Sequence, residues 1–270
     1  MRRLTAMPMS MLRTPLALIG LVALWQAVVT LGAPPRYLLP SPLSVAIVFL
    51  RQPDFLLHHS LITGGEILVG LLAGSLLGAA TALALAALPR LGPWLWPAVL
   101  VLQAFPVFVL APVLVLWFGF GMASKVAMTV IIIFFPVASA FADGLARTDR
   151  DILDAASLTK ASHWQVLRHI RLPLALPSLI SGLKVAAPLA PLGAVVGEWV
   201  GAAGGLGFIM LQANARMQTD ILFAAMVVLA LFTVSLRLLV DRLTAGLVHW
   251  APQQRPTFSL IRIVQRSVSP

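Results

Sequence analysis

Long apolar runs alternate with short polar segments along this chain. A bilayer core is crossed by ~20 mostly apolar residues in helical form. Six stretches fit that requirement: residues 16–31, 67–88, 95–118, 126–141, 174–197 and 221–240. The pattern predicts an all-α polytopic membrane protein with six transmembrane helices. The first run follows Arg2, Arg3 and Arg13 and precedes Leu31-Gly32-Ala33, which is also the outline of a signal peptide. A retained helix is preferred, because five spans without a soluble domain gain nothing from secretion.

Within the spans, Gly70, Gly74 and Gly78 recur every four residues and leave one helix face bare. Such faces let helix backbones approach closely in lipid, so these glycines are read as helix packing. Pro106, Pro112, Pro136, Pro188 and Pro191 each remove a backbone hydrogen bond and kink their helices. Between the first two spans, the prolines of residues 36–42 specify a turn, and a short helix over 43–51 follows.

Composition agrees with the pattern. The 270 residues are 60% hydrophobic and only 10% charged, against ~25% charged in a soluble domain. A water-soluble enzyme and a disordered chain are both excluded. With no cysteine there is no disulfide, thiolate metal site or Cys nucleophile. The net charge of +10 suggests nucleic acid only until its distribution is read. With the N-terminus inside, Arg2, Arg3, Arg13, Arg90, Arg147, Arg150, Lys160, Arg168, Arg171, Arg242, Arg255, Arg262 and Arg266 fall on inner segments. Only Arg36, Arg51, Lys125 and Arg216 fall outside, while Lys184 and Arg237 lie within spans near their inner ends, able to snorkel. Cations concentrate on the cytoplasmic side of membrane proteins. The charge therefore sets orientation, with both termini cytoplasmic and no nucleic acid implied.

One inner loop is long, from Ala142 to about Pro173. Asp151 to Ala156 reads as a helix start with acidic residues in the first turn, favoured by the helix dipole. Ser162 reads as the N-cap of a second short helix holding His163 and Trp164. Two short helices in the membrane plane form a knob that another protein can grip; a solvated re-entry loop is the alternative.

The spacing inside this loop carries a resemblance. Asp154-Ala155-Ala156, then Lys160, then Ile170-Arg171-Leu172-Pro173 is similar to the EAA loop of ABC importer permeases, with Asp154 for the family's Glu and Lys160 for its Gly. Residues 37–42, Pro106, Ala111-Pro112, residues 116–119, Gly197-Glu198 and Gly205-Leu206-Gly207 resemble the nitrate/sulfonate/taurine branch. Residues 190–201 and 212–218 resemble the permeases for hydroxymethylpyrimidine, a thiamine precursor. The resemblance implies the type I importer (MetI-like) fold over a core of about residues 35–245. An extra helix (1–34) precedes that core and a basic cytoplasmic tail (246–270) follows it. It also implies a bacterial inner membrane, a second copy as homodimer partner, cytoplasmic ATP-binding subunits on the loop, and an extracytoplasmic solute-binding protein. The loop's Gly serves a turn between helices, so Lys160 tests that turn geometry. ATP and Mg²⁺ belong to the partner ATPase: the chain lacks G-x-x-x-x-G-K-[ST], and no cofactor or metal is expected in it. All five histidines fall outside the spans, which leaves an intramembrane hydrolase without its base.

Candidate pathway residues follow from chemistry. A carboxylate in a span is expensive and hence a functional candidate. Glu66, one turn before Gly70, points into the bundle, where it either lines the pathway or is satisfied by water or a helix terminus. Glu198 and Trp199 open the Gly-rich stretch 201–207, as gate, substrate contact or outer cap. Gln103 beside Phe105 offers an amide and an aromatic face suited to a heteroaromatic ring, and Asn214 lies in the second cargo-linked stretch. Arg237 and Asp241, four apart, read as a structural pair. The rival class is an ion-coupled secondary transporter using Glu66.

Overall fold

The computed structural model describes residues 9–90, 92–248 and 250, with side chains from residue 16 onward except 102–104. Every regular element described is helical. The helices are α1 (Met9–Gly32), α2 (Pro42–Arg51), α3 (Pro53–Ala87), α4 (Gly92–Ala104), α5 (Val107–Phe118), α6 (Met122–Ala146), α7 (Arg150–Leu158), α8 (His163–Val166), α9 (Leu172–Ala186), α10 (Ala190–Trp199), α11 (Leu206–Ala215) and α12 (Thr219–Thr244). Among the described residues, four segments are long and apolar enough by themselves to cross a membrane: α3, α6, the rod His163–Trp199, and α12. The tail beyond residue 250 lies outside the described residues.

Helix α6 is the axis of the bundle, packed between α3 on one flank and α9–α10 on the other. Glycines on both flanks explain how. A Cβ at Gly70 would strike the Thr129 side chain; one at Gly74 would lie 2.8 Å from Ile133 Cβ, and one at Gly78 2.7 Å from the Phe134 carbonyl. From the opposite flank, a Cβ at Gly193 would reach Thr129 Cα at 2.6 Å and one at Gly197 would reach Lys125 Cα at 2.9 Å. The apolar core of Ile67, Leu71, Ile133, Val137, Ala186 and Ala190 fills the space beside these seams. Large apolar side chains such as Leu72, Leu76, Leu116 and Leu231 face outward, as lipid contact allows.

Several predicted spans are corrected by tertiary context. The second starts at Pro53 and not at 67, because His59, Thr63 and Glu66, polar enough to look like loop, are buried against other helices. At 35 residues, α3 is about 52 Å long, well beyond a bilayer core. The span predicted over 95–118 is two helices, broken at Phe105–Pro106, where Pro106 takes an extended ψ of 116°. The fourth span extends back to Met122, which moves Lys125 from an outer loop to a buried position inside α6. The second loop helix does not lie apart in the plane. A π-helical turn, Leu167–Arg171, joins α8 to α9, and a 3₁₀ turn at Ala187–Leu189 joins α9 to α10, making the continuous rod. The 3₁₀ turn coincides with Pro188, which lacks the N–H an α-helix would use. Helix α11, absent from the six predicted spans, is a short helix entered through a glycine loop.

Helix α1 meets the remainder through Trp25, whose indole N–H donates to the Pro40 carbonyl at 3.0 Å and whose ring lies 5.6 Å from Phe223. Lys184 and Arg237 do not simply snorkel. Both hold Asp241 at 3.0 Å, and the Arg237 guanidinium also donates to the Lys184 carbonyl, tying α9 to α12.

The glycine seam makes a sharp prediction. Gly78→Leu should destabilise the detergent-solubilised protein by about 2 kcal/mol or more, since the opposing atoms are rigid backbone. Gly20→Ala, where a Cβ meets nothing within 4 Å, should be neutral or slightly stabilising. Thermal unfolding of the two variants checks the contrast.

Candidate functional site

Two regions at opposite ends of the bundle carry chemistry. At one end lies the α7–α8 surface. Asp149 caps α7 by accepting from the Asp151 amide at 3.0 Å. The Thr159 hydroxyl donates to the Ala156 carbonyl at 2.7 Å, closing the helix. Lys160 then takes φ of +54°, the left-handed conformation that glycine adopts without strain. The turn geometry thus survives the replacement of glycine, at a local conformational cost. Ser162 and Gln165 form a reciprocal capping box: the Gln165 amide donates to Ser162 Oγ at 3.3 Å, and Gln165 Oε1 accepts from the Ser162 amide at 2.8 Å. His163 Nε2 donates to the Ala86 carbonyl at 3.2 Å, which fixes α8 against the end of α3.

This surface is apolar where it faces outward. Leu158 is 85% exposed and Trp164 61%. Asp154, Ala155, Lys160 and His163 are exposed beside them, Ala156 is buried, and Ile170, Leu172 and Pro173 are half-buried at the root of the rod.

At the α2 end, four side chains from three helices converge on the loop entering α11. The first amides of a helix have no intrahelical partner. Here other elements satisfy them. The Gly205 amide donates to His59 Nδ1 at 3.0 Å, and the Leu206 amide to Thr63 Oγ1 at 2.7 Å. The Gly207 and Phe208 amides both donate to Glu198 Oε2, the latter at 3.3 Å. Thr63 in turn donates to Glu198 Oε1 at 2.6 Å. A carboxylate at a helix N-terminus is also stabilised by the helix dipole. Gly205 has φ of +108°, and a Cβ there would collide with the Glu198 carboxyl, so only glycine fits.

Lys125 fixes the start of the same loop. Its ammonium donates to the Gly121 and Gly201 carbonyls at 3.0 Å each and to the Phe120 carbonyl at 2.5 Å, which uses all three donors. Glu66 completes the group, 4% exposed, with the Glu198 carboxyl and Lys125 as its charged neighbours.

Of the pathway candidates, the structure therefore unites Glu66 with Glu198. Trp199 and Asn214 are exposed and take no part in the cluster's hydrogen bonds; Phe105 is exposed at the α4–α5 break, and the Gln103 side chain lies outside the described residues. Sequence reasoning missed His59, Thr63 and Lys125. The signal for the first two was present: residues 59, 63, 66, 70 and 74 fall on one helical face, continuous with the glycine seam. Nothing local to Lys125 distinguishes it from an outer-loop cation.

Replacing Glu198 with Ala should cost about 3 kcal/mol or more, because the buried Gly207 amide, the part-buried Phe208 amide and the Thr63 hydroxyl lose their acceptor. Hydrogen exchange at residues 205–208 should rise with the loss of thermal stability. Lys160→Gly should instead raise stability by about 1 kcal/mol by relieving the left-handed lysine; a drop in the unfolding midpoint would contradict the strain argument.

Residues 70–250 match the family model described as "Binding-protein-dependent transport system inner membrane component". A probable ABC transporter permease protein of Haemophilus influenzae is 46% identical over 84% of this chain and 93% of its own length. The riboflavin transport system permease protein RibX of Chloroflexus aurantiacus is 35% identical, covering 87% of this chain and 89% of its own. The formylaminopyrimidine transport permease protein ThiX of Halalkalibacterium halodurans is 32% identical, covering 87% and 94% respectively. Among solved structures, a chain of the MetNI methionine ABC transporter in an inward-facing form superposes with a TM-score of 0.56. It is 19% identical, and the match covers 73% of this chain and 98% of that one. The fold is thus that of a type I importer permease. The chain belongs to the membrane-spanning permease components of binding-protein-dependent ABC importers, subunits that pass a small solute and leave ATP hydrolysis to a separate subunit.

Proposed function

We propose that this chain is the permease of an importer for a hydroxymethylpyrimidine-like thiamine precursor. The observation that carries the cargo is the likeness, over nearly its whole length, to a permease named for formylaminopyrimidine, joined to the stretches 190–201 and 212–218. Riboflavin transport is the second reading, favoured by the 35% identical relative named for that solute. Both cargoes are nitrogen heteroaromatics, which sets them apart from sulfonate, taurine or nitrate. An ion-coupled mechanism through Glu66 has no support in the family match.

Two copies form the pathway in the bacterial inner membrane, and a solute-binding protein delivers cargo at the α2 end. The α7–α8 surface docks the ATPase, with Asp154, Ala155, Lys160 and His163 at the contact and Ile170, Leu172 and Pro173 fixing its root. Exposed Leu158 and Trp164 on a water-facing surface support this, since apolar patches there mark interaction sites. Because α8 continues without a break into the rod His163–Trp199, a push at the docking surface is transmitted along a rigid element to the α2 end. ATPase closure then tilts the two permeases between inward- and outward-open states. ATP and Mg²⁺ bind in the ATPase. The excess of inner cations supports cytoplasmic termini.

Proteoliposomes holding the permease with its ATPase and binding protein test the reading. ATP-dependent uptake of labelled hydroxymethylpyrimidine, resistant to ionophores and uncompeted by riboflavin, is expected; uptake that follows an ion gradient without ATP would falsify it. Ala155→Asp should cut ATP-driven uptake at least tenfold with membrane insertion unchanged, because an added charge is desolvated at the docking contact. Wild-type uptake by that variant would remove the docking assignment.

A further inference from the structure

A cavity of about 470 Å³ opens at the α7–α8 end, between the last turns of α3 and α6 and the start of α4. On the orientation proposed above, it lies at the cytoplasmic boundary of the bilayer. Leu85 and Leu145 give it an apolar wall, and Arg171, Asp143 and Trp96 bring polar groups to the lining. Arg171 ends the π-helical turn that joins α8 to α9, an irregularity frequent at functional sites. Its guanidinium makes no hydrogen bond or ion pair among the described residues; Nε is closed to solvent, and the terminal Nη groups, which are not, are free of protein partners too. Asp143 is exposed and reaches only Arg147, at 4.0 Å. The Trp96 ring is fixed by stacking on Phe135 at 6.5 Å, and its N–H has no acceptor among the described residues. The cavity thus presents a cation and an anion that do not meet, with an unused donor beside them.

Separated opposite charges beside an apolar wall complement a zwitterion that carries an apolar body. A phosphodiester accepts from guanidinium and indole N–H groups, while a primary ammonium donates to a carboxylate. At a bilayer boundary the molecule with both features is a phospholipid with an amine headgroup. Basic pockets between membrane helices on the cytoplasmic side hold lipid headgroups, and tryptophan favours that depth. A purely anionic headgroup would leave Asp143 opposing it, and a soluble zwitterion would leave the apolar wall uncovered. We propose that this cavity binds the phosphoethanolamine headgroup of a cytoplasmic-leaflet phospholipid, with its phosphate on Arg171 and its ammonium on Asp143. Ala86, whose carbonyl bonds His163, also lines the cavity, so the lipid sits directly behind the α7–α8 surface. The assignment rests on the proposed orientation of the importer subunit and not on its cargo.

Native mass spectrometry of the complete permease–ATPase complex tests the site. The complex is released from nanodiscs holding phosphatidylethanolamine, phosphatidylglycerol and phosphatidylcholine in equal parts, and the retained lipid is counted. Phosphatidylethanolamine should be retained in preference to the other two. Arg171→Met should lower its retention about tenfold, the usual scale for losing a charge-assisted hydrogen bond. Asp143→Asn should lower it similarly while leaving phosphatidylglycerol, which has no ammonium, unchanged or raised; a general loosening of the fold would not discriminate in that way. Gly92 lines the cavity and a Cβ there meets nothing within 4 Å, so Gly92→Leu should narrow the site without breaking the fold and reduce retention of every lipid. Size exclusion with the ATPase checks assembly, and Asp143→Asn decides the matter should Arg171→Met fail to assemble. Equal retention of the three lipids by the wild type, or wild-type retention in an assembled Arg171 or Asp143 variant, overturns the site. Displacement of the lipid by soluble glycerophosphoethanolamine overturns the lipid as occupant. The measurement reads lipid alone, so a failure of the cargo assignment leaves its outcome unaltered.

Discussion

The close approach of three helix backbones along α6 is the constraint on which the other features rest. In lipid, apolar side chains gain little by meeting one another, so helices associate where backbones come near enough for dense packing and short polar contacts. Gly70, Gly74 and Gly78 from α3, and Gly193 and Gly197 from α10, remove the side chains that would hold the backbones apart. The consequence is functional as well as structural. The same α3 face that carries the glycines carries Glu66, Thr63 and His59 one, two and three turns earlier, the α6 stripe that meets Gly197 carries Lys125, and Glu198 follows Gly197 on α10. Tight packing therefore delivers five polar groups to one buried point.

That point solves a backbone problem. A helix that begins inside the protein exposes four amides without partners, each expensive to bury. Helix α11 begins this way, and His59, Thr63 and Glu198 accept from its first amides while Lys125 holds the carbonyl of the preceding loop at Gly201. Capping a helix with side chains from two other elements couples its position to theirs. Glu198, one residue before the rod's end at Trp199, is thus the direct link between the rod and α11. The loop surface at the far end of the same rod is held by exposed contacts, the capping box and the His163 hydrogen bond to Ala86. Both chemically distinctive ends thus sit on one continuous element.

Much of this was legible in the order of residues, and the losses have physical reasons. The apolar runs identify the membrane helices, but hydropathy averages along the chain and so marks the 95–118 run as one span, when the missing donor of Pro106 splits it in two. Hydropathy also truncates α3, since buried polar residues with partners look, in one dimension, like solvated ones. The EAA-like loop was legible as a resemblance in spacing, but the turn at Lys160 was not, because lysine seldom takes the left-handed conformation that the structure gives it there. The pairing of Glu66 with Glu198 was not, as their separation of more than a hundred residues carries no periodic signal.

By itself, then, the sequence determined the apolar solvent, the rough place of the long membrane helices, the glycine seam and the family motif. All are properties of composition or of periodicity within a single helix. Tertiary structure alone decided that Lys125 is buried and fully engaged, that Glu198 is a helix anchor, and that α8 through α10 form one rod. Each of these depends on which distant backbone supplies the missing donor or acceptor, and only three-dimensional packing assigns those partners.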